Sequence, residues 1–119
     1  METSTSGERI PAEAVRLLEA LLNSDEPVHR ALLGQIPFLH VTGRCGCSCA
    51  SLDFGLDRSL VPAAPVIGNP VADATVVDVE GEPVGGALVF ARDGYLSNLE
   101  LYTWGDDRIT RLPTPDRLC

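Results

Sequence analysis

Cysteines stand at positions 45, 47 and 49 in the stretch GRCGCSCAS, and the chain has only four cysteines in all. Three thiolates so close together suit two kinds of chemistry. Zinc takes tetrahedral thiolate and imidazole ligands, so Cys45, Cys47 and Cys49 could hold it with Cys119 or His40 as the fourth donor. Thiols can also cycle between reduced and oxidised forms, although a bond between alternate residues is strained and easily reduced. Both readings meet resistance in the spacing. Structural zinc sites favour two to four residues between paired cysteines, and no C-x-x-C occurs here. A third reading needs no chemistry. Gly43, Gly46 and Ser48 are turn formers, and an unpaired cysteine behaves as a small apolar residue, so the stretch reads as the turn of a hairpin.

Other catalytic constellations are scarce. Cys–His nucleophilic chemistry would have to use His40, because the remaining histidine, His29, falls among charged residues on a helix and is expected to be solvated. All nine basic residues are arginine, which excludes a Schiff-base lysine and the lysine of a phosphate-binding loop. No G-x-S-x-G, H-E-x-x-H or Walker sequence is present. Asp106 and Asp107, in WGDDR, read as an exposed turn. The residues therefore point away from an enzyme.

Seventeen acidic residues against nine basic ones give a net charge of −8. Such a surface repels nucleic acid, which must be met with a basic face, and attracts a protein partner with a basic surface. No apolar run is long enough for a membrane span, and the polar N-terminus carries no apolar signal segment, so a cytoplasmic protein is expected.

The elements that would position a binding face follow from periodicity. Residues 1–9 read as a disordered tail and residues 10–119 as one domain, an ordinary size for 119 residues. From Pro11 to Ser24, Ala14, Leu17, Leu18, Leu21 and Leu22 recur at helical spacing. Ser24 or Asp25, followed by Pro27, opens a second helix that carries Val28, Leu32, Leu33 and Ile36. Strand patterns then take over at 38–44, 50–56, 72–80, 84–92 and 95–104, with a possible edge strand in RITRLP at 108–113. Residues 57–71 hold three prolines and read as a long surface loop. The Asp93–Gly94 pair is a strong hairpin signal. Helices segregated from strands imply an α+β fold: a helical hairpin packed on an antiparallel β-meander of four to five strands.

Alternation within this sheet selects the candidate face. If Leu99 and Leu101 point inward, Asn98, Glu100, Tyr102 and Trp104 point outward. The same argument sends Ser51 and Asp53 outward from the strand at 50–56. Two aromatics beside acids on one sheet face suit protein recognition, where Tyr and Trp are enriched.

The segments Cys45-Gly46-Cys47, Asp93 to Tyr102 (DG-x-LS-x-LE-x-Y) and Ile109 to Pro113 together resemble a family of small, mainly actinobacterial proteins of unknown function. The resemblance runs from the second helix onward and implies no catalytic residue. At the level of fold alone, small acidic α+β proteins also include immunity proteins of toxin systems. The expectation is thus a non-enzymatic acidic binding module, immunity-type or regulatory, with a thiolate zinc site at Cys45, Cys47 and Cys49 as the alternative.

Overall fold

The computed structural model describes residues 8–44, 50–105 and 111–119. The cysteine stretch 45–49 and Asp106–Asp107 lie outside the described residues.

The chain is α+β: among the described residues there are two helices and a six-stranded antiparallel sheet. In chain order the elements are β1 (Glu8–Arg9), α1 (Ala12–Leu21), α2 (Pro27–Leu33), β2 (His40–Arg44), β3 (Leu52–Gly55), β4 (Ala72–Val77), β5 (Pro83–Arg92) and β6 (Tyr95–Thr103). Short 3-10 turns occupy Ile36–Phe38 and Pro115–Arg117. Among the described residues, no helix is long and apolar enough to cross a membrane.

The sheet order is β1-β2-β3-β6-β5-β4, which departs from the expected meander. β2 and β3 form one hairpin and β4, β5 and β6 form a three-stranded run, but β3 pairs with β6 rather than β4. The physical reason is the length of the 57–71 connection. It carries the chain from β3 past two strand positions, so that β4 starts at the far edge.

Further differences concern the ends of the chain. Glu8 and Arg9, read as the end of a tail, pair with Val41 and His40 and make a sixth strand. Arg111–Pro113 is not a strand. Instead Leu118 bridges Val76, and the Cys119 amide donates to the Thr75 carbonyl at 2.9 Å. Both sheet edges therefore carry a terminal segment, which occupies backbone groups that would otherwise invite another strand.

The helices form as their apolar spacing predicts, but they do not run along each other as a hairpin. α1 instead packs against β4 and the C-terminal 3-10 turn. Ala14, Leu17, Leu18 and Leu22 are fully buried on its inner face. They meet Val41, Leu52, Phe54, Ala87, Val89, Leu99 and Leu101 from one face of the sheet. Burying a leucine of this kind contributes about 2 kcal/mol, so this single layer supplies most of the driving force.

His29 is half-buried rather than solvated, because its ring joins α2 to the entrance of β4. A carbonyl can only accept, so Nε2–H must donate to the Val71 oxygen, at 2.7 Å. That tautomer leaves Nδ1 to accept from the Ser24 hydroxyl at 2.6 Å.

One buried polar side chain, Gln35, organises the far end of the sheet; it is 0% exposed. Its Oε1 accepts from the Leu96 amide at 2.9 Å, and its Nε2 donates to the Gly94 carbonyl at 2.9 Å and the Pro62 carbonyl at 3.3 Å. Truncation would leave buried backbone groups without partners. We expect Gln35→Ala to destabilise the fold by about 3 kcal/mol, read as a lowered denaturant midpoint.

Arg44 makes a two-pronged contact with Glu8, at 3.2 and 2.9 Å, and so pins β1 to β2. The hydrogen bond from Arg44, and then its charge, hold the Glu8 carboxyl below the usual carboxylate range. A lowered acid contributes stability above its unfolded pKa and loses that contribution as pH falls through its folded value. Acidification through the carboxylate range is therefore expected to release β1 first. Amide exchange at the Glu8–Arg9 ladder should quicken before that of α1 or β5.

Candidate functional site

The β5–β6 hairpin builds the outer face of the sheet. Asp93 and Gly94 both have positive φ, 55° and 87°, as a two-residue primed turn requires. The hairpin is long, and its register sets Gly86 opposite Tyr102, Leu88 opposite Glu100, and Phe90 opposite Asn98. These pairs alternate with the buried Ala87, Val89, Leu99 and Leu101, so they point away from the helices.

Tyr102 and Trp104 stand on this face, 40% and 61% exposed. Their rings are tilted against each other with centroids 6.5 Å apart. The Trp104 amide donates to the Val84 carbonyl at 3.2 Å, which continues the pairing one step past β6 and fixes the main chain that carries the indole. Gly86 explains the Tyr102 ring. A methyl group at Gly86 would collide with the hydroxyl and two carbons of that ring, so the phenol lies flat across the space a side chain would fill. Such a pairing covers exposed glycine backbone and fixes the aromatic in one pose. Leu88 and Phe90 are half-buried beside it, and Glu100 is exposed.

The residues expected to form the face divide into three groups. Glu100, Tyr102 and Trp104 share it with Leu88 and Phe90. Asp53 and Asn98 are directly opposed across β3 and β6 and lie one step further along. Asp53 is exposed, with Oδ2 leaning over Gly43, and Asn98 is half-buried and accepts from the Ser97 hydroxyl at 3.0 Å. Ser51 has a different occupation. Its hydroxyl accepts from the Leu101 amide at 2.8 Å and donates to the Leu101 carbonyl at 3.4 Å, so it serves the β6 backbone.

A second feature escaped the sequence reading. β3 and β6 pair only at Leu52–Leu99 and Asp53–Asn98, and beyond Asn98 they part. A cleft of about 480 Å³ opens there, lined by Asp53, Phe54, Gly55, Leu56, Arg58, Arg92, Tyr95, Leu96, Ser97 and Asn98. The Arg58 guanidinium lies 4.7 Å from the centre of the Tyr95 ring and reaches Asp93 at 3.3 Å. The Tyr95 hydroxyl donates to the Val61 carbonyl at 3.2 Å, which ties this wall to the long loop. The signal that could have found the cleft is the pair Arg92 and Tyr95 flanking Asp93–Gly94. Residues beside a two-residue turn face each other across the hairpin and emerge on the same side.

The candidate zinc ligands Cys45, Cys47 and Cys49 lie outside the described residues. Cys119 is exposed and held at the β4 edge. That edge is four strand positions from β2 in the sheet. Among the described residues, no group of three or more His, Cys, Asp or Glu side chains gathers into a metal site.

Comparison with known proteins finds no matching family model, no similar curated protein and no similar solved structure.

The Gly86–Tyr102 contact can be checked directly. Gly86→Ala should displace the phenol, cost about 1 kcal/mol of stability and shift the emission of Trp104, the one tryptophan in the chain. An unchanged emission spectrum would show that the ring does not rest on Gly86.

Proposed function

We propose that this protein is a non-enzymatic binding module whose outer sheet face engages a protein partner with a basic surface. The observation that carries the reading is the exposed Tyr102–Trp104 pair beside Glu100 on a face that no described element covers. Tyr and Trp are the side chains that most often dominate binding energy, and here both are held by backbone pairing before any partner arrives. The net charge of −8 supports a cationic partner and a fast, salt-sensitive encounter. An immunity-type or regulatory role fits this description. On the same footing we place the chain with the small bacterial proteins that share its CGC and DG-x-LS-x-LE-x-Y segments.

Tagged protein recovered from its native cells should carry a basic partner that dissociates as salt is raised. Trp104→Ala and Tyr102→Ala should each weaken that complex by about 2 kcal/mol, roughly thirtyfold, with no loss of folding. Recovery of no basic partner, or of one indifferent to both substitutions, would remove the proposal.

A second reading keeps Cys45, Cys47 and Cys49 as a zinc site. Its support is that Arg44 pairs with Leu52, so both ends of the segment that carries the three thiols are held by one hairpin. Metal analysis of protein purified without chelators should then give about one zinc per chain. A stoichiometry near zero removes this reading.

A further inference from the structure

We infer that the cleft between β3 and β6 is a binding site for a small dipolar molecule carrying both an ammonium and a carboxylate group, the size of a free amino acid or dipeptide. This goes beyond the protein-binding face and does not depend on it.

The argument rests on how charge is divided along the cleft. The cationic groups are Arg58, which lies over the Tyr95 ring, and Arg92, which pairs with Tyr95 across the hairpin. Arg58 is held in place by the Tyr95 ring and Asp93, which also takes up part of its charge. Arg92 lines the cleft, is exposed and makes no ion pair with a described residue. Asp53 also lines the cleft as an exposed carboxylate, with its Oδ2 leaning toward Gly43 of β2. The ladder Asp53–Asn98–Phe90, plus two residues along β5 to Arg92, separates the two backbone positions by about 12 Å. An arginine side chain is long enough to close part of that distance, so a single amino acid or dipeptide can span the remainder. Asn98 lies between Asp53 and Arg92. Its Oδ1 is engaged by Ser97, which leaves its amide hydrogens for the ligand.

The same layout disfavours the simpler ligands. A dianion such as phosphate would meet the repulsion of Asp53, with Asp93 already on Arg58. A plain cation would meet two guanidinium groups. A dipolar molecule satisfies both ends at once, and 480 Å³ falls within the range of small-molecule sites. Phe54 and Leu96, both buried, give the cleft apolar lining for an aliphatic side chain.

The test is titration of the whole protein with glycine, L-alanine and glycylglycine, followed by amide shifts in the nuclear magnetic resonance spectrum. Acetate, methylamine and inorganic phosphate serve as single-charge-type controls. Saturable shifts are expected at Arg92, Ser97 and Asn98 for at least one dipolar probe, with each control binding at least tenfold more weakly. Arg92→Ala and Asp53→Asn, both at exposed positions, should each weaken that binding at least tenfold, whereas Trp104→Ala should leave it unchanged. No saturable shift from any dipolar probe would overturn the inference. So would acetate binding as tightly as glycine, or a dipolar probe indifferent to Arg92→Ala. Loss of the protein partner in Trp104→Ala with amino-acid binding intact would show that the two sites stand or fall separately.

Discussion

The structure depends on how the β5–β6 hairpin satisfies its own backbone. This hairpin is longer than either of its neighbours, so its flanks carry amide and carbonyl groups that no strand reaches. Buried groups of that kind must find partners, because each one left unmet costs about 1–3 kcal/mol. Three side chains supply them. Gln35 takes the Leu96 amide and the Gly94 carbonyl on the β3 side. Ser51 takes the Leu101 amide and carbonyl where β3 has not yet begun. On the β4 side, Asn69 makes a reciprocal pair with Ala91, donating to its carbonyl and accepting from its amide, both at 2.9 Å. Each short polar side chain imitates one residue of a missing strand.

These substitutions also explain why the loop at 57–71 can be long yet fixed in place. It is anchored by Asn69 at one end of its course and by the Ala64 amide on the Gly94 carbonyl at another, 2.8 Å. The Tyr95 hydroxyl on the Val61 carbonyl adds a third tie. The hairpin tip thus organises the loop, Gln35 and the end of the second helix around itself. Gly94 is the centre of this arrangement. Its carbonyl accepts from both Gln35 and Ala64, and its Cα lies so close to Ala63 and Ala64 that a side chain would collide with them. A residue chosen for its turn conformation is therefore also held by packing.

Much of this architecture was legible in the sequence, and the parts that were not share a cause. Helix spacing at Ala14, Leu17, Leu18 and Leu22 marks a real buried stripe, and the Asp93–Gly94 turn is where the pattern placed it. Alternation also places Glu100, Tyr102 and Trp104 outward. Local periodicity carries no information about which strands become neighbours, so the β3–β6 pairing was invisible. The same is true of Gln35, whose burial depends on carbonyls 27 and 59 residues away in sequence. Alternation alone sends Ser51 outward, and it cannot register that a hydroxyl is recruited by a backbone group across the sheet. The burial of His29 is hidden from local sequence for a similar reason, since its acceptor Val71 lies 42 residues on.

The sharpest failure of alternation also ties the two candidate sites together. Counting back from Leu99 by twos sends Ser97 and Tyr95 inward and Leu96 outward. The pairing of β5 with β6 slips between Phe90 and Ala91, where one extra residue, Ser97, bulges from β6. A bulge reverses the facing of every residue beyond it. Leu96 accordingly turns into the core and Tyr95 turns out beside Arg92. The bulge falls where pairing with β3 ends, so the same irregularity that rescues Leu96 for the core also opens the cleft. On one side of Ser97 the strand is regular and presents an aromatic, acidic face. On the other it is reversed and presents Tyr95, beside Arg92 of β5. A single inserted residue thus divides the outer side of the hairpin into an aromatic, acidic face and a cleft wall where Tyr95 meets Arg92.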